Sequence, residues 1–528
     1  MQENLEIEFT NARVSITRTP ELAQAQELDL SGYRLVVLGS PGWLVDYQEL
    51  TYHTDPGEID QAQEEALAAW LDQDERLYEL ARLSGVFLIL VARGDKLERL
   101  VTSDNLPNTL YHLRQGGRLL VSDDPWPVIR SRALDIASYS PEDLAYYDRR
   151  KTCRPGHTLF PGLHRFQPAT LYALAEDGLH RQRAVYFIKR DSGSFNHADF
   201  LAVVGRRMPP GRYTLAYSTG IDSHHLLKTF DQWIEDVCTV VYPGPFQDRE
   251  RTREAAAAVI NTVEAAKDLR LVRADFRDLE NLKYLRHGVW RDPFACHHSF
   301  SVYNMFKTAG QKRLMTGQNA DTVQWFGLTS SLPWWRLPLP SPLKNYTWEW
   351  QRAWYRLAVA RSYGRIVQPE LLDRRIFYGC LDLVRPRVGP HGYWHFTWFK
   401  MINNMTSGNT AIFRNAAAYF SKEVHFPYIE PLALYVSSYY RRPPASMFEP
   451  KRDLRRRYRY LRHTDIKYPV APGRPPEESP LFQAVARRMQ EAAPELKEAL
   501  DARARGYMTR LFLYEIVIQA LEGGAGGS

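Results

Sequence analysis

A chain of 528 residues is more than one ordinary core holds, so at least two domains are expected. With 44% hydrophobic and 24% charged residues it is globular rather than disordered, and no apolar run reaches the roughly 18 residues needed to cross a bilayer. The net charge of +7 suits anionic ligands, while four scattered cysteines (Cys153, Cys238, Cys296 and Cys380) without metal-ligand spacing argue against a zinc site and for reduced thiols in a cytoplasm. The N-terminus, "MQENLEIEFT", is acidic and amphipathic, unlike a signal peptide, so a cytoplasmic chain without a membrane partner is expected.

Up to about residue 190 the chain reads as short strands and turns. "YRLVVLGS" (33–40), "GVFLILVAR" (85–93), "GRLLVSDD" (117–124) and "ATLYALAEDGLHRQRAVYF" (169–187) are apolar or alternating runs bounded by Gly, Pro and Asp. One helix, "EIDQAQEEALAAWLDQD" (58–74), interrupts them with apolar residues at helical spacing. The expectation is a β-rich layered domain over 1–190.

From about residue 195 strands alternate with helices. "RYTLAYS" (212–218) precedes a helix starting near Asp222, and "DVCTVVYPG" (236–244) precedes "RERTREAAAAVINTVEAA" (249–266). "RLVRAD" (270–275) and "QKRLMTG" (311–317) read as two more strands. This alternation predicts a parallel sheet covered on both faces, whose ligands bind beyond the carboxyl ends of the strands. The stretches ending in "STGIDS", "YPGP" and "TGQNAD" should therefore converge on one crevice. Beyond residue 345 the chain is expected to be mostly helical, and "GGAGGS" (523–528) is a flexible tail outside a second domain of 195–522.

The run "YTLAYSTGIDSHHLL" (213–227) carries the chemistry. A strand that breaks into small residues and resumes as a helix exposes backbone N–H groups at the positive end of the helix dipole. Gly220 is expected to allow close backbone approach and an unusual φ. Ser218 and Ser223 offer hydroxyls to phosphate oxygens, and Asp222 suits a cation, most commonly magnesium. The same residues also suit a plain strand–helix turn with Asp222 as its N-cap. Further on, "KRDLRRRYRYLRH" (451–463) alternates basic and aromatic residues. It suits a phosphate or an acidic peptide as well as a solvated helix face, and it lacks any nucleic-acid recognition module, so no nucleic-acid partner is expected.

Here the motifs reach a family. Ser218-Thr219-Gly220-Ile221-Asp222-Ser223 resembles the S-G-G-x-D-S pyrophosphate loop of the ATP pyrophosphatases, with Thr219 in place of one glycine. "MTGQNADTVQWFG" (315–327) resembles the second loop of the asparagine synthetase group, S-G-x-G-A-D-E-x-x-G. "RDPFACHHSF" (291–300), "VVYPGPFQDRERTREAAAAV" (240–259) and "FPYIEPLALYV" (426–436) are similar to further segments of that group, in the same order. In the first half, "LSGVFLILV" (83–91) parallels L-D-G-x-F-A-F. The resemblance spans about residues 30–470. It implies an α/β multidomain fold: an N-terminal Ntn-hydrolase-like αββα domain, then a PP-loop parallel sheet of the adenine-nucleotide-α-hydrolase-like type with a helical extension.

The resemblance also implies a mechanism. ATP would lie with its phosphates on Ser218 to Ser223 and beside Gly317, its adenine against the backbone of Val241 and Tyr242, and magnesium held by Asp222 and Asp321. A substrate carboxylate attacks the α-phosphate, pyrophosphate leaves, and an amine converts the acyl-adenylate into an amide plus AMP. Lys467 in "HTDIKYPVAPG" takes the place of the family's lysine that neutralises pyrophosphate.

Departures from the family narrow the substrate. Glutamine-dependent members need a cysteine directly after the initiator methionine; this chain has Gln2, and Thr102-Ser103-Asp104 replaces their arginine-aspartate pattern. The first domain is therefore expected to lack the nucleophile and glutaminase activity. Gln318 stands where asparagine synthetases carry a glutamate and β-lactam synthetases a tyrosine, and Asn319 replaces a glycine. Glutamine is no general base; Glu349 in the next segment reads as a helix-surface acid. A lasso peptide cyclase, which joins a peptide's α-amine to an Asp or Glu side chain of the same peptide, tolerates this best. Its amine has a reference pKa of about 7.7–8.0, so a neutral fraction exists without a strong base. The expected partners are a precursor core peptide as substrate, with a leader-binding protein and a leader peptidase. A small-molecule amide synthetase and a non-catalytic nucleotide- or peptide-binding scaffold are the rival readings.

Overall fold

Two sheets from the first half of the chain lie face to face, and a third sheet, wholly parallel, organises the second half. This is seen in a computed structural model that describes residues 4–17, 25–30, 32–46, 51–52, 61–71, 83–103, 110–115, 117–150, 153, 156–168, 170–176, 178–184, 200–205, 208–218, 220–241, 249–273, 275, 278–294, 300–318, 320, 409–428, 452–463, 479–504 and 506–523. The chain is thus α/β, with mixed, antiparallel and parallel sheets.

The first half opens with β1 (Asn4–Phe9), β2 (Ala12–Thr17), β3 (Ala25–Leu30), β4 (Tyr33–Asp46) and β5 (Thr51–Tyr52). After α1 (Gln61–Leu71) come β6 (Leu83–Arg93), β7 (Lys96–Thr102), β8 (Tyr111–Gln115) and β9 (Arg118–Ser122). Then follow α2 (Trp126–Arg132), α3 (Pro141–Arg150), β10 (Leu163–Arg165), β11 (Thr170–Ala175) and β12 (Gly178–Ala184). One sheet has the order β1-β2-β9-β8-β10, and the other β12-β11-β7-β6-β4-β3 with β5 on the end of β4.

Side-chain alternation sets the layers. Along β4 and β6, Val36, Leu38, Leu88 and Leu90 turn toward Val14, Ile16, Leu119 and Val121 of the first sheet. Their neighbours Leu35, Val37, Phe87 and Ile89 turn the other way, onto Leu67 and Leu71 of α1. A strand buried on both faces reads as a continuous apolar run, which is how "YRLVVLGS" and "GVFLILVAR" read. Each such side chain contributes about 1.5–3 kcal/mol on burial. On the far side of the first sheet, Tyr111 and Leu113 pack with Trp126 and Ile129 of α2 and Leu144 and Tyr147 of α3. The order of layers is helix, sheet, sheet, helix.

The second half begins with α4 (Phe200–Gly205), β13 (Tyr213–Ala216), α5 (Ile221–Thr229), β14 (Ile234–Val241) and α6 (Arg249–Ile260). It continues through β15 (Asp268–Arg273), α7 (Leu282–Arg291), α8 (Phe300–Thr308) and β16 (Arg313–Thr316). Then come α9 (Asn409–Tyr419), β17 (Glu423–His425), α10 (Arg452–Arg457), a 3₁₀ segment (Arg459–His463), α11 (Pro480–Ala492), α12 (Pro494–Arg503) and α13 (Tyr507–Leu521). The strand order is β15-β14-β13-β16-β17. The chain moves outward from β13 to β15, then returns to start again on the other side of β13. Helix α6 stops at Ile260 rather than running to 266, because Asn261 and the β-branched Thr262 and Val263 form a turn. Strand β17 is one strand within a stretch expected to be mostly helical; three residues carry too little pattern to read.

Helices α8 and α9 cover one face of this sheet, with Tyr303, Phe306, Phe413 and Ala416 around Cys238, Val272 and Leu314. That core is continuous with the first half: Trp126, Tyr147 and Phe160 belong to the same cluster as Val289, Phe294 and Leu511 of α7, its C-terminal turn and α13. Trp126 Nε1 donates to the Trp290 carbonyl at 2.7 Å, and buried Arg165 pairs with buried Asp292 at 2.5 Å. Helix α13 is rich in apolar residues and buried on nearly all sides, with its buried Glu515 paired to Arg286 and Arg488.

Candidate functional site

The order of the parallel sheet creates a switch point between β13 and β16, where successive connections leave toward opposite sides and open a crevice at the carboxyl ends. Register places the two candidate loops there together. Ala216 of β13 pairs with Thr316 of β16, so the chain after each strand leaves the sheet at the same level. A methyl group built on Gly317 would lie 3.6 Å from the Ser223 amide nitrogen and 3.8 Å from the Asp222 carbonyl carbon. The loops adjoin directly. Strand β14 runs three residues past the Ala216–Cys238 pair, to Val241, and walls one side of the crevice.

The loop itself is braced from within. The Ser223 hydroxyl is buried, donates to the Gly220 carbonyl at 3.0 Å and accepts from the Ser218 amide at 3.2 Å. The Ser218 and Ser223 oxygens are 3.1 Å apart, and Ser218 is exposed. Of the two serines, Ser223 shapes the loop, and Ser218, the exposed one, rests its hydroxyl against Ser223 and over Gly220. Helix α5 follows with Ile221 as its first residue, and its hydrogen-bond ladder starts at the His224 amide, which donates to Gly220. Helix geometry therefore gives the amides of Ile221, Asp222 and Ser223 no partner within the helix, and they stand at its positive end.

Two expectations about this loop are corrected. Gly220 has φ −75° and ψ 158°, an ordinary extended conformation, so it is not there for an unusual φ. Its reason is space: a Cβ would sit 3.2 Å from Ser218 Oγ and push that hydroxyl from its place. Asp222 is not the N-cap, which is Gly220; it sits two residues further in, in the first turn, where a carboxylate also gains from the dipole.

Gln318 lies half-buried at the mouth of the second loop, its amide donating to Thr316 Oγ1 at 3.2 Å. Thr219, Tyr242, Asn319, Asp321, Glu349 and Lys467 lie outside the described residues. Among the described residues no group of three His, Cys, Asp or Glu side chains is placed to hold a metal; of the expected magnesium pair only Asp222 is among them.

Three contacts at this site escaped the sequence reading. Buried Tyr428 donates to the Asp222 carbonyl at 3.1 Å, which brings the first residues of "FPYIEPLALYV", Phe426 to Tyr428, to the same loop. His224 and His225, both buried in α5, meet Tyr460 and Tyr458 of the basic run. Burial, with Lys228 adding to it, holds the His224 ring down at about 4, so it is neutral near pH 7. The only signal was the pair of tyrosines in "RRRYRYLRH", and nothing local said what they face. The basic run is thus not a wholly solvated face: Leu454 and Tyr458 are buried, while Arg456, Arg457 and Arg459 point outward.

In the first half, Thr102 and Ser103 are committed to the fold. The Thr102 hydroxyl donates to the Gln167 carbonyl at 2.6 Å, and Ser103 Oγ accepts from the Phe87 amide at 3.0 Å. The described cysteines, Cys153 and Cys238, are buried, and burial together with Asp236 pushes the Cys238 thiol up to about 12. Gln2 lies outside the described residues. No protein-family model and no curated protein matches the chain.

Proposed function

We propose that this chain is an ATP-dependent, AMP-forming amide ligase, and that its substrate is a peptide it closes into a macrolactam. The observation that carries the reading is the junction at the switch point, where the Ser218–Ser223 loop and Gly317 abut over three first-turn amides of α5. Amides at a helix N-terminus, a hydroxyl and a side-chain-free floor suit a polyphosphate. In this reading Ser218 and the amides of Ile221 to Ser223 bind the pyrophosphate that departs when a substrate carboxylate attacks the α-phosphate. The substrate's own amine then attacks the acyl-adenylate, loses a proton, forms the amide and releases AMP. Val241 borders the adenine through its backbone. The first-turn carboxylate of Asp222 fits a magnesium ion, which when bound would neutralise charge on the leaving pyrophosphate.

The family resemblance supplies the ligase class and the domain types, an Ntn-hydrolase-like first half ahead of a PP-loop sheet. The helix–sheet–sheet–helix layering and the β15-β14-β13-β16-β17 order are compatible with both. Burial of the described thiols and the structural use of Thr102 and Ser103 favour an amine carried by the substrate over ammonia from glutamine. Holding amine and acyl group together can supply about 7–11 kcal/mol of the barrier in favourable geometry, which lessens the need for a base at Gln318.

The test mixes protein, ATP, magnesium and a leader-free candidate core peptide, and follows nucleotides and peptide mass together. AMP formation with a peptide lighter by one water, both lost in Asp222→Ala, is the expected result. AMP without a peptide change redirects the reading to another amine; ATP binding without AMP for any carboxylate offered leaves a binding scaffold.

A further inference from the structure

Helix α5 is gripped from behind by a segment that joins it from more than two hundred residues later. His224 Nε2 lies 2.5 Å from Tyr460 Oη, and His224 Nδ1 lies 3.4 Å from Tyr217 Oη, the residue that immediately precedes the loop. The rings of Tyr458 and Tyr460 meet His224 edge-on at 5.0 and 5.6 Å. His225 Nδ1 lies 2.8 Å from Tyr458 Oη. A neutral imidazole has one donor and one acceptor, and a phenol can be either, so two hydroxyls satisfy the His224 ring without a charge.

The geometry constrains motion. Adjacent helix residues diverge by about 100° around the axis, so engaging His224 and His225 together opposes rotation of α5 in both senses. Tyr428, on the Asp222 carbonyl, adds a third point of attachment at the first turn. Packing of this quality is not needed to hold a nine-residue helix already buried at Leu226 and Leu227. Its distinctive effect is on the direction of the amides at 221–223.

We infer that Tyr458 and Tyr460 are positioning residues, which act through His225 and His224 to aim the first-turn amides of α5 at the bound phosphates. The inference rests on the nucleotide reading of the loop. It makes residues 452–463 a brace whose engagement governs nucleotide affinity, with Arg456, Arg457 and Arg459 on its exposed side.

Tyr460→Phe and Tyr458→Phe each delete one hydroxyl and keep the ring. Two readouts are compared with the parent chain: hydrogen–deuterium exchange of amides 221–226, and the affinity for Mg·ATP measured by calorimetry. Tyr460→Phe is expected to speed exchange in α5 severalfold with α13 and the melting midpoint unchanged, and to weaken Mg·ATP binding roughly two- to tenfold, the range for one lost hydrogen bond. His224→Gln, which can still reach a phenol, should lie closer to the parent than His224→Leu. Unchanged exchange in α5 overturns the inference; faster exchange with unaltered Mg·ATP affinity reduces the tyrosines to plain packing and overturns it too. A parent chain that binds no Mg·ATP removes the nucleotide reading, while the exchange data still decide whether the tyrosines hold α5.

Discussion

Gly317 keeps side-chain atoms away from the Ser223 amide, and a methyl group there would rest at ordinary contact distance from that nitrogen and from Leu226. Gly317→Ala should therefore fold with a stability change within about 0.5 kcal/mol. On the proposed nucleotide reading its methyl would cover an amide that faces the phosphates, so Mg·ATP affinity should fall roughly fivefold or more by calorimetry. A second residue, His112, sits buried between the sheets against His164, Phe166 and Tyr172, and burial, then His164, hold its ring down at about 3. The folded state keeps this ring neutral, while the unfolded chain takes up a proton below about pH 6.5. The stability it contributes is present above about pH 6.5 and is lost as pH falls toward about 3, at up to about 1.4 kcal/mol per unit. Urea denaturation at intervals from about pH 7 down to pH 4 should show His112→Phe losing less stability than the parent. Residues such as Ser218, Gly220 and Asp222 were legible because small and polar types interrupt an apolar run. His224 and Tyr428 were not, because what gives them meaning is a contact across 236 and 206 residues of chain respectively.

At the scale of elements, the continuous apolar runs of β4 and β6 and the strand–helix alternation after residue 212 were readable, since burial on two faces and crossover helices each leave a pattern. The hairpin of β1 and β2 was not read; in it, alternate polar residues face solvent and the turn at Thr10 and Asn11 is brief. Helix α13 follows another rule: with Leu511 and Leu513 buried on opposite sides, it has no solvent face to reveal a period. Leu513→Ala should cost about 2–5 kcal/mol in urea denaturation. Leu521→Ala, at the exposed end of the same helix, should cost within about 0.5 kcal/mol.

For the whole molecule, the two-domain reading of the sequence, 1–190 and 195–522, meets a core that is shared between the halves. Trp126, Tyr147 and Phe160 on one side and Val289, Phe294 and Leu511 on the other belong to one cluster, pinned by the buried Arg165–Asp292 pair. Such a seam has no signature in either half alone, because each contributes only half of its packing. Asp292→Ala should destabilise the chain by about 3–5 kcal/mol by stranding Arg165, and the double change with Arg165→Met should recover much of that. A chain split at residue 192 and expressed as two pieces should co-purify as a complex. The second piece alone should bind a hydrophobic dye, as the surface under α7 and α13 is uncovered.

The order of the parallel sheet also sets a timetable for synthesis. Strand β13 pairs with β14 soon after both are made, but its other neighbour, β16, begins 100 residues later, since Tyr213 pairs with Arg313. At about 5–20 residues per second, the central strand leaves the ribosome and waits roughly 5–20 s with one edge open. During that interval the unpaired edge is a template for any other extended chain. The crevice that brings the two loops together closes only when β16 is made, with β17 still to add beyond it, so a nascent chain should depend on a chaperone at least until β16 arrives.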